Sequence, residues 1–121
     1  MVTATDLAGV GVAPAAARRI GDVLLNSQTA AGSSASDALA LGQATIVNFT
    51  TVGSNTGAIL PSADLHEKGS VVIRNNGSNP LTVYPYGSET INGTTSFTVT
   101  NAKGAHIYRI ATGAWIAMLS G

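Results

Sequence analysis

Cysteine is missing from this chain altogether, which removes disulfides and thiolate metal sites as staples and leaves packing or oligomerisation to supply extra stability. Charge is scarce as well. Lys and Arg number 6, Asp and Glu number 6, and charged residues make up only 10% of the chain, well below the roughly 25% of average globular composition. So thin and balanced a set gives no field to hold nucleic-acid phosphates or an acidic membrane surface, and neither is expected as a partner. No run of about 18 apolar residues occurs, which excludes a membrane-spanning helix on length. Arg18 and Arg19 follow the mildly apolar N-terminal stretch instead of preceding it. That reverses the order of a signal peptide, so synthesis in a cytoplasm is expected.

What is present fits one domain of ordinary size: 121 residues, 45% of them hydrophobic. A small domain with so few charges covers its surface either with Gly, Ser, Thr and Asn or by burial against partners, and the second reading points to obligate assembly.

Composition changes near residue 43 and divides the chain in two, 1–43 and 44–121. In the first part Pro14 suits the opening turn of a helix, and Ala16, Ile20, Val23, Leu24 and Ser27 recur at helical spacing. Gly21 costs such a helix about 1 kcal/mol against Ala, and three or four turns are marginal alone. It needs a surface, either its own β-domain or a partner. Residues 26–36, NSQTAAGSSAS, read as an extended connector of roughly 35 to 40 Å. A short helical turn is expected at 37–41, between Ser36 as N-cap and Gly42 as stop.

From Ala44 the spacing switches to period 2 in eight runs: ATIVNFTTV, GAIL, SVVIRN, LTVYPY, ETI, SFTVT, AHIYRIA and AWIAML. Asn76-Gly77, Asn92-Gly93 and Thr112-Gly113 supply turns, and Pro61, Pro80 and Pro85 mark strand ends. The fold expected is mainly β: a small antiparallel sandwich or barrel with an N-terminal helical and extended arm. Val71, Ile73, Leu81, Val83, Phe97 and Val99 alternate onto one face as core candidates, with Thr82, Tyr84, Thr98 and Thr100 opposite them. In the last two strands Ile107 and Ile110 fall on opposite faces, as do Trp115 and Ile116, so both faces are expected to be covered, by a second sheet in a monomer or, the preferred reading, by a neighbouring subunit.

The sequence offers no catalytic residue, no metal ligand set and no cofactor motif. Ser62, Asp64, His66 and Ser70 crowd one probable loop, whereas a Ser-His-Asp triad needs members from separate rigid elements. His106 stands without a second ligand at metal spacing, and Gly9-x-Gly11 runs into Pro14 instead of completing a dinucleotide-binding loop. Glu67 and Glu89 are a chance pairing among few carboxylates. Asn48, Asn76 and Asn92 begin glycosylation sequons, two of which turn chemistry already explains. Tyr84, Tyr86 and Trp115 could stack on sugars, but aromatics are only 5% of the chain and core or interface use is the better reading.

VVIRNNGSNPLTVYPYGSETING followed by SFTVTNAKGAHIYRIATGAWIAML, with TTVGSNTGAILPSA before it, resembles a β-module that recurs in bacteriophage structural proteins. The resemblance covers roughly residues 44–121. Its distinctive parts are the Asn-Gly turn, the LTVYP strand, the ING turn and the terminal hairpin with its Trp. The chain departs from the pattern in the short stretch after Asn92-Gly93 and in NAKGA, where an AAGKSA-like turn is common. The resemblance implies a non-enzymatic virion protein, such as a head decoration or cement protein and often a trimer, located on the capsid surface. Tail-fibre or receptor-binding modules that recognise a host glycan are the alternative. On the decoration reading Leu7, Val10, Val12, Ile20, Val23, Leu24 and Leu25 dock on the major capsid protein, while Tyr84, Tyr108, Ile110 and Trp115 join the subunits.

Overall fold

The computed structural model describes residues 23–120, and every regular element within them is a strand. In chain order these are β1 (Leu24–Thr29), β2 (Leu39–Ala40), β3 (Ile46–Thr51), β4 (Gly57–Ile59), β5 (Ser70–Asn75), β6 (Leu81–Tyr84), β7 (Thr90–Ile91), β8 (Phe97–Val99), β9 (Lys103–Ala111) and β10 (Ala114–Ser120). All eight runs expected from period-2 spacing contain a strand, because β-branched residues alternate with polar ones there and turn residues bound each run.

The winding differs from the antiparallel sandwich or barrel expected. The chain passes from one sheet to the other and back, laying β1, β3 and β5 side by side in parallel and β2, β4 and β6 likewise. The result is solenoid-like. Only the C-terminal part turns antiparallel, with β9 running against β5, β10 against β9, and β8 against β6. The two sheets are ordered β1-β3-β5-β9-β10-β7 and β2-β4-β6-β8. Alternation reports which face a side chain takes but not which strand lies beside it, so parallel coils and antiparallel hairpins share one signature.

The expected N-terminal elements also change. Most of the predicted helix lies outside the described residues, but its last part, with the start of the supposed connector, is strand β1, hydrogen-bonded in parallel to β3. The helical turn expected at 37–41 is instead occupied by β2, which pairs with β4. The sheets therefore run across the boundary drawn at residue 43. Pairing satisfies the β1 backbone groups that face β3 and lets Leu25 pack on the core, which an exposed tether does not do.

Between the sheets lies one apolar core containing Val47, Phe49, Leu60, Val71, Ile73, Leu81, Val83, Val99, Ile107 and Trp115, all essentially inaccessible. Burial of each large side chain contributes roughly 1.5–3 kcal/mol. Five of the six core candidates are among these residues, and Phe97 packs against them half-buried. Among the described residues Asn75 is the one polar side chain with no exposed surface. It donates to the Asn79 and Val99 carbonyls, each at 2.9 Å, and accepts from the Gly77 amide at 2.9 Å.

The turns follow their residues with one exception. Asn92 and Gly93 both take positive φ, 54° and 77°, and Ile91 and Thr94 exchange backbone hydrogen bonds of 2.9 Å across them. Gly113, at φ 65°, closes β9 onto β10. Gly77 does not adopt the expected positive φ. It is needed for space, since a Cβ there would lie 2.7 Å from Val52.

Candidate functional site

The polar loop that holds Ser62, Asp64 and His66 is built as a brace. Gly69 N–H donates to His66 Nδ1 at 3.0 Å, which leaves the ring proton on Nε2 facing the Ala44 carbonyl at 2.9 Å. The ring is buried and meets Trp115 edge-on, at a centroid distance of 5.8 Å and an interplanar angle of 80°. Asp64 pairs instead with Arg109, Oδ1 to Nη2 at 3.0 Å, and accepts from the Gly113 amide at 3.3 Å. Glu89 accepts from Ser62 Oγ at 2.7 Å and from the Ala63 amide at 2.8 Å. With both imidazole nitrogens held by the backbone, His66 has no free atom to activate a hydroxyl. The loop fastens the β4–β5 connection to the β9–β10 hairpin.

The other polar candidates are similarly engaged. Asn48 donates to Asn26 Oδ1 at 2.9 Å, Asn76 donates to Asn48 Oδ1 at 2.7 Å, and Arg74 Nε donates to Asn76 Oδ1 at 3.0 Å. This asparagine ladder climbs the parallel coils, one rung per strand. Asn92 pairs with both backbone groups of Ala117, at 2.9 and 3.1 Å. His106 stands beside Tyr108, Nδ1 to Oη at 3.3 Å. Among the described residues no three His, Asp or Glu side chains converge as metal ligands do.

The three aromatics considered as a sugar platform do not meet as one. Trp115 is fully buried, Tyr84 is half-buried with its hydroxyl 3.4 Å from the Ser33 carbonyl, and Tyr86 is exposed. Tyr86 borders an open groove of about 350 Å³ with Ile59, Leu60 and Pro61. A second, polar cleft of about 430 Å³ lies between the Thr50–Gly53 and Asn76–Asn79 turns.

The outer face of the six-stranded sheet has a different character. Register aligns Leu24 with Ile46, Ile46 with Val72, Val72 with His106, and His106 with Met118, one residue from each of β1, β3, β5, β9 and β10. Beside this row Tyr108 is paired with Ile116. Leu24, Ile46, Tyr108, Ile110, Ile116 and Met118 are 38–61% exposed, a concentration of large apolar side chains that a solvated sheet face does not need. No Asp, Glu, Lys or Arg stands in the row. Arg74, two residues beyond Val72 on β5, shares this side and is bound to Asn76.

The residues expected to mediate contacts are thus regrouped. Leu7, Val10, Val12 and Ile20 lie outside the described residues. Val23 and Leu24 are exposed, and Leu25 points inward onto the core. Tyr108 and Ile110 share the outer face with Leu24, whereas Tyr84 belongs to the other sheet. Trp115 cannot join subunits, since its whole surface is used inside its own chain. Of the two faces of the last strands, one is packed inside the chain by Ile107 and Trp115, while Ile110 and Ile116 on the other are exposed within it. Ile46, Ile116 and Met118 escaped the sequence reading because strands with apolar residues on both faces do not reveal which one looks outward. The comparisons add no relative: no family model, curated protein or solved structure matches the chain.

Proposed function

We propose that this chain is a structural protein of a bacteriophage particle that decorates or cements the capsid, as a homotrimer bound to the major capsid protein. The observation that carries the reading is the uncharged apolar row on an otherwise weakly charged β-fold, which favours use as a building block. The resemblance of residues 44–121 to phage structural modules supplies the setting, the virion. Leu7, Val10, Val12 and Ile20 dock on the shell, and three such contacts per trimer strengthen one another through high local concentration. A non-enzymatic role is supported by the commitment of His66, Asp64 and Glu89 to structural contacts.

Co-sedimentation with undecorated capsids tests the reading. Hundreds of copies per head are expected, with loss of binding when Leu7, Val10, Val12 and Ile20 are replaced together by Asp. A few copies confined to tailed particles would overturn it. The solenoid-like winding favours a second reading, a tail-fibre or receptor-binding module, because fibre shafts are built from repeated coils. On that reading the groove beside Tyr86 takes a host glycan, and binding on a glycan array that is lost in Tyr86→Ala is the expected result.

A further inference from the structure

We infer that the outer face of the six-stranded sheet is the surface through which copies of this chain associate, with the row from Leu24 to Met118 at the centre of the contact. The inference rests on the oligomeric part of the proposed function and assigns it a place. Three observations converge on a second copy as the occupant.

The first is area. At the exposures given above, and about 200 Å² for a fully exposed large side chain, Leu24, Ile46, Tyr108, Ile110, Ile116 and Met118 offer roughly 600 Å². A stable interface takes about 800 Å² from each partner, part of it a polar rim. Ser70, Asn48 and Arg74 lie on the same outward side of the neighbouring rows and form that rim. The second is charge. Around a threefold axis the same residues of all three copies come together, so like charges there would repel; the row has none, and the one cation of the rim, Arg74, is held by Asn76 at 3.0 Å. The third is shape. The row crosses five hydrogen-bonded strands, so the side chains are held by the sheet and little ordering entropy remains to be lost on contact. A capsid protein could also cover such a face, but then Glu substitutions on it would leave self-association of the free protein unchanged, and the test separates the two.

The chain contains no cysteine, so a single one introduced on the face reports contact directly. The full-length Met118→Cys protein is expected to form intermolecular disulfides under mild oxidation, whereas Thr98→Cys, exposed on the other sheet, stays uncrosslinked. In parallel, light scattering of Ile116→Glu and Met118→Glu should show dissociation constants raised about a hundredfold or more, because each buries an unpaired charge. Both side chains point away from the core, and an unchanged circular dichroism spectrum establishes that the variants fold. Wild-type oligomers unaffected by either Glu substitution would place the contact elsewhere and overturn the inference. A monomeric wild type at all accessible concentrations would overturn both the face and the trimer. A trimeric wild-type protein that does not bind capsids would count against decoration alone and leave the face standing.

Discussion

Ala102 turns the chain from β8 into β9 at φ 64°, a conformation that costs an L-residue about 1–2 kcal/mol. Ala102→Gly is therefore expected to raise stability by about 0.5–1 kcal/mol after the greater chain entropy of glycine is subtracted, as read by urea denaturation. Gly57 presents the opposite case, since a Cβ there would overlap the Thr82 carbonyl across the β4–β6 pair. Gly57→Ala should cost at least 2 kcal/mol, roughly the penalty of overpacking. Asn75→Leu should be similarly destabilising, by about 3 kcal/mol, because it strands two carbonyls and an amide in a dry region. At Asp37, hydrogen bonds from the Ser34 amide and hydroxyl hold the carboxyl below its ordinary value of 3.8. Because the folded value is depressed, this contribution is present above pH 3.8 and is lost as the pH falls through the folded value. An NMR titration should find the Asp37 midpoint below 3.8, moving up toward it in Ser34→Ala.

Strands β3 to β10 were legible because their apolar residues alternate between turn residues, as in SVVIRN and LTVYPY. Strand β1 was not, since Leu24 and Leu25 continue a helical spacing begun at Ile20 and Val23, and only pairing with β3 decides between the two. The coils themselves left a fainter trace. Asn26, Asn48 and Asn76 recur at separations of 22 and 28 residues, and the first two follow Leu-Leu and Ile-Val pairs that put one side chain out and one in. Neither the separations nor the flanking residues repeat closely enough to mark a period. The ladder that results predicts a measurable link between coils: Asn48→Ala breaks both of its rungs and should cost about 1 kcal/mol. Native-state hydrogen exchange should reveal the same order. Amides in β5 and β9, central in the larger sheet, are expected to exchange most slowly, and those in the edge strands β1 and β2 fastest.

As a whole the molecule joins a closed core to an open face. His66 and Trp115 fasten the β9–β10 hairpin against the coils, and that hairpin in turn carries Tyr108, Ile110, Ile116 and Met118 to the outer side. Tyr108 and Ile110 of the outer face were named from the sequence, but Ile46 and Met118 were not, because strands with apolar residues in both phases of their alternation do not show which phase faces out. On the proposed function and the inference drawn from it, copies would associate through the sheet and be fixed to the shell by the N-terminal segment. Electron cryomicroscopy of capsids with and without the protein tests this union most directly. The predicted result is added density at regular positions over the shell, with the six-stranded sheets of neighbouring copies turned toward one another. Bare shells, or density only at the tail, would contradict it.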